Sequence, residues 1–150
     1  MTSTATIQID SDAPVDAVWT VLSDGWSYAS WVVGASRVRA VDPEWPQTGS
    51  RLHHSFGPWP LVINDHTEVL ECIPEQFLRL KARGWPTGEA HVTITTTAKG
   101  SGSTISIEED ATSGPAVIVP KAIRQMLMVP RNREALRRLK LLAEGRARGD

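Results

Sequence analysis

The sequence contains little cysteine and no long hydrophobic stretch. Its 150 residues include a single cysteine, Cys72, so an intrachain disulfide cannot form. Cys72 lies in an apolar stretch that reads as a strand, a context typical of a small core residue. No run of apolar residues approaches the length of a membrane-spanning helix, and the N-terminus lacks the apolar region of a secretory signal. We therefore expect a cytoplasmic protein without a membrane span.

The sequence also lacks an excess of charge of either sign. Its formal net charge is −1, so no overall field attracts nucleic acid, and we expect no DNA binding. Positive residues are nevertheless concentrated in residues 131–148, where seven arginines and lysines occur with two glutamates. Such a segment is typical of a solvated helix face, and a surface that docks an acidic protein or ribosomal RNA is the alternative.

Patterns for metal and phosphate binding are missing as well. His53 and His54 are neighbours in a predicted strand and point to opposite faces, while His66 and His91 add no ligand spacing. The Gly-Ser-Gly turn at 100–102 lacks the lysine and the following helix of a phosphate-binding loop. We therefore predict no metal and no cofactor.

What the chain does contain is a regular alternation of apolar and polar residues along many short segments. Alternation at 5–9 predicts a first strand, and a helix with an apolar face follows at 14–22, with a shorter helix to about residue 33. Six further segments with a period of two lie between residues 35 and 110, separated by glycines and prolines. These features suit a single domain over residues 1–150.

The end of the chain is predicted to be helical. The sequence Ser-Gly-Pro at 113–115 ends the strands, a loop and a short helix occupy 116–129, and Pro130 begins a new helix. Glu134 and Arg138 form a favourable pair one turn apart. The apolar stripe of this helix consists of Asn132, Ala135, Leu136, Leu139, Leu142 and Ala143. Six strands joined by short turns predict an antiparallel meander, and the long helix is the element able to cover its apolar face.

Four motifs in this order connect the sequence to a known family. They are A-P-V-D-A-V-W-T-V-L-S-D at 13–24, W-V-V-G at 31–34, V-L-E-C-I-P-E-Q-F-L-R-L-K at 69–81 and N-R-E-A-L-R-R-L-K at 132–140. With them the chain resembles the START-like helix-grip (SRPBCC) superfamily, in particular its polyketide cyclase/dehydrase and lipid-transport branch. The resemblance implies an α+β helix-grip fold. In that fold a curved antiparallel sheet of about seven strands wraps a long C-terminal helix, and two short helices follow strand one.

The resemblance also implies a deep, mostly apolar cavity between the sheet and the last helix, suited to a small hydrophobic molecule. Slim inward residues such as Ala82 and Ala90 would leave space there, whereas Trp19, Trp31 and the segment 126–127 are large enough to fill it. The predicted ligand-binding residues are Trp31, Leu52, His54, Phe56, Ile63, Leu80, Val92, Ile105, Ile107, Met126, Leu127 and Leu136.

Three tryptophans stand next to prolines in predicted turns: Trp45, Trp59 and Trp85. Side chains of this size can lie at the rim of a cavity or cap the ends of a core. The sequence leaves both interpretations open.

His54 is the first candidate for chemistry. It lies on the apolar face of its strand and is therefore expected to point inward. If the turn at 57–60 pairs residue 54 with residue 63, Asp65 becomes a diagonal neighbour of His54 on the same face. A histidine oriented by a carboxylate is suited to act as a general base on an acidic C–H. A register shifted by one residue would put Asn64 there instead, and a hydrogen-bonded core histidine is the simpler alternative.

Glu109 is the second candidate. It follows the inward register of the last strand, whereas Glu108 is expected to face solvent. Burial against apolar walls would raise the pKa of the Glu109 carboxyl and allow it to act as an acid. An ion pair with Arg124 or Arg131 is the alternative.

Together these features predict a protein that binds a polyketide, lipid or aromatic compound in an internal cavity. Polyketide cyclase/dehydrase-like activity, with His54, Asp65 and Glu109 as the catalytic candidates, is left open. The alternative is a non-catalytic interaction module whose basic C-terminal helix docks an acidic protein or ribosomal RNA. A homodimer is compatible with either interpretation.

Overall fold

A computed structural model describes residues 4–84 and 88–149, and these form one seven-stranded sheet with one long helix packed on it. The elements are β1 (Thr6–Ser11), α1 (Val15–Leu22), a 3₁₀ turn (Gly25–Ser27), α2 (Tyr28–Trp31), β2 (Ala35–Val41), β3 (Arg51–Phe56), β4 (Ile63–Ile73), β5 (Phe77–Gly84), β6 (Gly88–Lys99), β7 (Gly102–Ser113), a second 3₁₀ turn (Pro115–Ile118) and α3 (Lys121–Ala147). Of the predicted turn between Gly84 and Gly88, residues 85–87, including Trp85, lie outside the described residues.

The sheet is antiparallel throughout, and its strand order is β1-β7-β6-β5-β4-β3-β2. The strands β2 to β7 therefore form a meander, and β1 returns to pair with the last strand. Helices α1 and α2 carry the chain from one edge of the sheet to the other. This arrangement confirms the predicted α+β helix-grip fold.

The two short helices pack closely because small residues sit where they approach the sheet. A Cβ atom at Gly25 would lie 2.6 Å from Cγ1 of Val41, so this position accepts no larger side chain without movement. Four apolar residues of α1 are buried: Val18, Trp19, Val21 and Leu22. The connection therefore fixes α1 against the same core that α3 covers.

One end of the space between the sheet and α3 is filled by large apolar side chains. The indole N–H of Trp19 donates to Oγ1 of Thr96 at 2.9 Å, and that of Trp45 donates to the Leu22 carbonyl at 3.1 Å. Trp45 therefore caps the core, whereas Trp59 is 83% exposed. The largest fully buried apolar side chains are Leu52, Leu78, Ile94, Ile105, Leu136 and Leu139.

The predicted break before Pro130 is wrong. Helix α3 begins at Lys121 and continues through Pro130 to Ala147. A proline inside a helix removes one intrahelical hydrogen bond, here the one to the Met126 carbonyl. Gln125 before the proline and Asn132 after it are both buried, so the helix packs against the rest of the fold on both sides of Pro130.

The predicted register between β3 and β4 is also wrong, by two residues. Strand β3 runs as far as Phe56, which pairs with Ile63, so that His54 pairs directly with Asp65. The loop between the strands is therefore longer than a tight turn at 57–60. A shift of two residues preserves the faces, which is why His54 still points inward as expected.

None of the helices formed by residues 4–84 and 88–149 is both long and apolar enough to span a bilayer.

Candidate ligand-binding site

The inward faces of β5, β6 and β7 carry three successive rungs of paired residues, and these become smaller toward one end of the sheet. The rungs are Leu78, Ile94 and Ile107, then Leu80, Val92 and Glu109, then Ala82, Ala90 and Ala111. Because the third rung consists of three alanines, the sheet leaves space beneath the N-terminal half of α3. Large side chains on these three strands therefore fill one end of the space between the sheet and α3, the filled end. Small side chains on the same strands leave space at the other end, the hollow end.

A small cavity, the inner chamber, lies beside the second rung and has a volume of about 60 Å³. Aromatic side chains close it on one side, and Asn132 and Ala135 of α3 cover it. Its aromatic and sheet walls are Tyr28, Trp31, Phe56, Leu80, Val92 and Ile107. The chamber is predominantly apolar and is too small for an aromatic ring, since a cavity of about 150 Å³ is what accommodates benzene.

A larger cavity, the outer chamber, lies over the third rung and has a volume of about 500 Å³. The segment 115–119 forms one wall and Leu127 and Met128 of α3 form another. Arg83, Glu89 and Arg124 contribute charged groups to it. Its volume lies within the range of about 300–1,000 Å³ that is typical of small-molecule sites.

The two chambers meet at an ion pair. Glu109 and Arg131 border both of them, as do Phe56 and Ala82. Glu109 is 7% exposed, and one of its carboxylate oxygens accepts a hydrogen bond from Nη2 of Arg131. The alternative predicted for Glu109, a pair with Arg131, is therefore what the structure contains, and the pair is a polar feature common to both chambers.

A second set of contacts holds α3 and the outer wall in place around that ion pair. Nε and Nη2 of Arg124 donate to the two carboxylate oxygens of Asp110 at 2.9 and 3.0 Å, and Nη1 donates to the Val119 carbonyl at 2.5 Å. The hydrogen bonds from Arg124 lower the pKa of Asp110. Gln125 donates to the Glu109 carbonyl at 2.9 Å. The start of α3 is thus fastened to β7 through Asp110 and Glu109.

His54 lies behind the wall of the inner chamber and has no exposed surface. Its Nε2 is 3.0 Å from Oγ1 of Thr67, which is also 2.9 Å from the hydroxyl of Tyr28. Its ring stacks on that of Tyr28 with centroids 5.5 Å apart and contacts Phe56 edge-on. Nδ1 of His54 has no hydrogen-bond partner among the described residues.

Burial sets the protonation of this network. It lowers the pKa of His54 to about 4, against a smaller opposing effect of the Asp65 charge. Burial likewise raises the pKa of Tyr28 to about 12. Both side chains are therefore neutral near pH 7, and Tyr28, Thr67 and His54 form a core hydrogen-bond chain.

Asp65 faces His54 across the strand pair, but the structure brings it close to other charged groups. Its Oδ1 lies 3.7 Å from Nε of Arg83 and 3.7 Å from Nδ1 of His66. The hydroxyl of Thr67 occupies the position next to the His54 ring that the sequence assigned to a carboxylate. Catalysis by the His54 and Asp65 pair stays a prediction.

The predicted ligand-binding residues fall into three groups. Six border a chamber, namely Trp31, Phe56, Leu80, Val92, Ile107 and Leu127. Four are fully or almost fully buried in the filled core, namely Leu52, His54, Ile105 and Leu136. Ile63 is half-buried beside Phe56, and Met126 is 72% exposed. Met126 is thus not a filler of the cavity, because the unbroken α3 turns it toward solvent.

Two features of the site are not among the ligand-binding residues predicted from the sequence: Asn132 and the wall at 115–119. Asn132 borders the inner chamber and is 6% exposed, yet it was counted as part of the apolar stripe of its helix. A polar residue within an apolar stripe is the signal that marks it. The wall at 115–119 had no signal of this kind, since its apolar residues read as an ordinary loop and turn.

The positions of the possible metal ligands among the described residues bear on metal binding. In the part of the chain that the structure describes, no three histidine, cysteine, aspartate or glutamate side chains come together in a group that could hold an ion. His53 and His66 are cross-strand partners with ring centroids 6.1 Å apart, which brings together two ligands.

Solved structures with the same fold include proteins of several kinds. Protein CV1439 from Chromobacterium violaceum has 20% identity over 95% of this chain and 99% of that chain, with a TM-score of 0.72. The Zhui aromatase/cyclase from Streptomyces sp. R1128 has 17% identity over 96% of this chain and 94% of that chain, with a TM-score of 0.67. The di-domain ARO/CYC StfQ from the steffimycin biosynthetic pathway has 13% identity, with 96% of this chain matching 51% of that chain at a TM-score of 0.73. At these identities the likeness establishes the fold.

A comparison with curated proteins finds no match. The family assignment depends instead on a family model described as polyketide cyclase / dehydrase and lipid transport, which matches residues 2–144. That match spans all the elements that build the two chambers. The chain therefore belongs to the polyketide cyclase/dehydrase and lipid-transport family.

Proposed function

We propose that the chain is a single domain that binds a small hydrophobic molecule, such as a polyketide or another aromatic or lipid-like compound, in the two adjoining chambers. The observation that carries this proposal is the adjacency of the two cavities, which share four lining residues, Phe56, Ala82, Glu109 and Arg131. Family membership and the aromatase/cyclase neighbours support the same role.

The volumes determine how such a ligand would lie. A ring system fits the outer chamber of about 500 Å³, whereas the inner chamber of about 60 Å³ accepts a narrow group. The alanine rung then forms the floor under the rings, and Leu127 and Met128 cover them. Burial of apolar ligand surface contributes about 25 cal/mol per Å², so this contact supplies most of the affinity.

Binding has more support than catalysis by His54. A general base must come within hydrogen-bond distance of the proton it removes, and His54 is separated from the chambers by Tyr28 and Phe56. Glu109 is the titratable candidate that borders both chambers, and a bound ligand would meet it together with Arg131.

The docking alternative has less support, because five of the seven basic side chains at 131–148 lie within ion-pair distance of a carboxylate among the described residues. Arg137 and Arg138 both pair with Glu134, at 3.0 and 3.1 Å, and Lys140 pairs with Glu144 at 3.2 Å. A surface whose charges are already paired offers less attraction to an acidic partner. This observation favours the cavity over the helix face as the functional feature.

The test is uptake of the neutral fluorescent probe N-phenyl-1-naphthylamine by the purified protein. We expect saturable enhancement of its emission. In the variant Ala90→Phe the added ring occupies the outer chamber, so probe affinity should fall by about tenfold or more, equivalent to about 1.4 kcal/mol.

The matched control is Ala98→Phe, eight positions along the same strand, where the alanine is exposed and lies away from both chambers. It should bind the probe as the unmodified protein does. Equal loss in both variants, or no saturable enhancement in the parent protein, would contradict the proposal.

A further inference from the structure

Asn132 combines three properties that ordinary core residues do not share. It is 6% exposed, it borders the inner chamber, and its neighbours Ala135 and Leu136 on the same helix are apolar and buried. Its side-chain amide makes no hydrogen bond to any group among residues 4–84 and 88–149. The amide is not one of the fully enclosed unpaired groups, which among the described residues comprise Nδ1 of His54, so its polar atoms are open to the adjoining space and available to a ligand.

Arg131 supplies further donors at the same place. A guanidinium has five N–H groups, and among the described residues that of Arg131 uses Nη2 for its hydrogen bond to Glu109. The side chain is 43% exposed and borders both chambers. The junction of the chambers therefore contains N–H donors from Arg131 and from the Asn132 amide.

We propose that Arg131 and Asn132 form an oxygen-binding subsite, and that the ligand carries a carbonyl or carboxylate oxygen at the end that enters the inner chamber. The inference rests on the proposed function and names the chemistry of the ligand that this site accepts. The ring system occupies the outer chamber, and its terminal oxygen accepts hydrogen bonds from the two donors.

The dimensions of the inner chamber agree with this orientation. A volume of about 60 Å³ exceeds the share of one water molecule in the liquid, about 30 Å³, and is well below the space that a ring needs. A carbonyl or carboxylate group fits it, whereas the ring system to which that group is attached does not. The oxygen also replaces any water bound to the Asn132 amide, so the amide exchanges one hydrogen-bond partner for another and loses no hydrogen bond.

Three naphthalene probes of similar size test the inference by displacement of N-phenyl-1-naphthylamine from the purified protein. They are 2-ethylnaphthalene, 2-acetylnaphthalene and 2-naphthoate. The acetyl compound should bind about tenfold more tightly than the ethyl compound, as expected for one added buried hydrogen bond. The side-chain amide signal of Asn132 in ¹H–¹⁵N spectra should shift with the acetyl compound and with naphthoate more than with the ethyl compound.

Two variants assign the effect to its residues. Asn132→Leu should remove the preference for acetyl over ethyl and leave binding of the ethyl compound unchanged or stronger. Arg131→Gln should weaken naphthoate binding by at least tenfold and acetyl binding less, because the charged donor favours the carboxylate. Arg133→Gln, at an exposed arginine two positions further along the helix, is the matched control and should change none of the three affinities.

The outcomes separate this inference from the function on which it depends. If the three probes bind equally to the unmodified protein, hydrophobic binding stands and the oxygen subsite is wrong. If the acetyl preference survives Asn132→Leu, the subsite lies elsewhere and the assignment fails. If none of the probes displaces the dye and the dye itself does not bind, both the hydrophobic binding function and the oxygen subsite are wrong. The amide shift needs no variant, so the test holds even if a substitution impairs folding.

Discussion

The two ends of the space between the sheet and α3 differ in the side chains that enter it, while the strands continue from one end to the other. At one end Leu78 and Ile94 pair across two strands and are fully buried in the same core cluster as Leu136 and Leu139. At the other end Ala82 and Ala90 pair in the same two strands and open the outer chamber. The comparison teaches that the filled end provides the stability and the hollow end provides the capacity for a ligand.

The largest expected effect is a loss of stability caused by a substitution at the filled end. Leu139 is fully buried, and Leu139→Ala should lower the free energy of unfolding by about 3 kcal/mol, because it removes apolar contacts and leaves a cavity. The control Leu127→Ala, at a residue that is 72% exposed, should change it by less than about 0.5 kcal/mol. Urea titration of both variants measures the difference, and similar losses would contradict the division into two ends.

The second effect concerns His54, which is fully buried in the filled core behind the wall of the inner chamber. Burial lowers the pKa of His54 to about 4 from 6.5. Between these values the unfolded chain binds more protons than the folded one, so stability falls as the pH decreases from 6.5 toward 4. Each unit of difference in pKa contributes roughly 1.4 kcal/mol.

Urea titrations at several pH values test this. His54→Gln should flatten the dependence of the unfolding free energy between pH 6.5 and 4. His91→Gln, at an exposed histidine, should leave the slope as it is in the parent protein. An unchanged slope in His54→Gln would mean that this group does not titrate abnormally in the folded chain.

The smallest expected effect is a change in stability caused by a substitution at the hollow end. Asn132→Leu should raise the free energy of unfolding of the ligand-free protein by about 1 kcal/mol, since it places an apolar side chain in the buried stripe formed by Ala135 and Leu136. Asn64→Leu is the contrasting variant, because the Asn64 amide oxygen accepts a hydrogen bond from Oγ of Ser55 at 2.6 Å. That change should destabilise the protein. Thermal unfolding of both variants measures these changes. A lower free energy of unfolding in Asn132→Leu would contradict the expected gain in stability.

The sequence was sufficient for the fold because its signals are local. Alternation with a period of two marks each strand, and the opening and closing motifs identify the helix-grip order. The register of β3 against β4 was not accessible, since it depends on how far β3 extends beyond His54 before the chain turns. The partner of His54 followed from that register, and so Thr67 was missed.

The site was predictable in part for a related reason. The alanines at 82 and 90 indicate that the inward side chains are small at one end of the sheet. The alternation along the last strand predicts that Glu109 faces inward. What the sequence does not determine is whether a buried polar group has a partner, because this depends on contacts between distant segments. For Glu109 the partner is Arg131, and for Asn132 none of the described residues provides one.

The unbroken helix at Pro130 has a mechanical consequence. Without an N–H at residue 130, the Met126 carbonyl loses its intrahelical bond at the level where the two chambers meet. The turns before this point are anchored to β7 through Asp110, and the turns after it are anchored through the filled core. The helix therefore consists of two anchored segments joined by a turn that lacks one backbone hydrogen bond, and Arg131 at that turn borders both chambers.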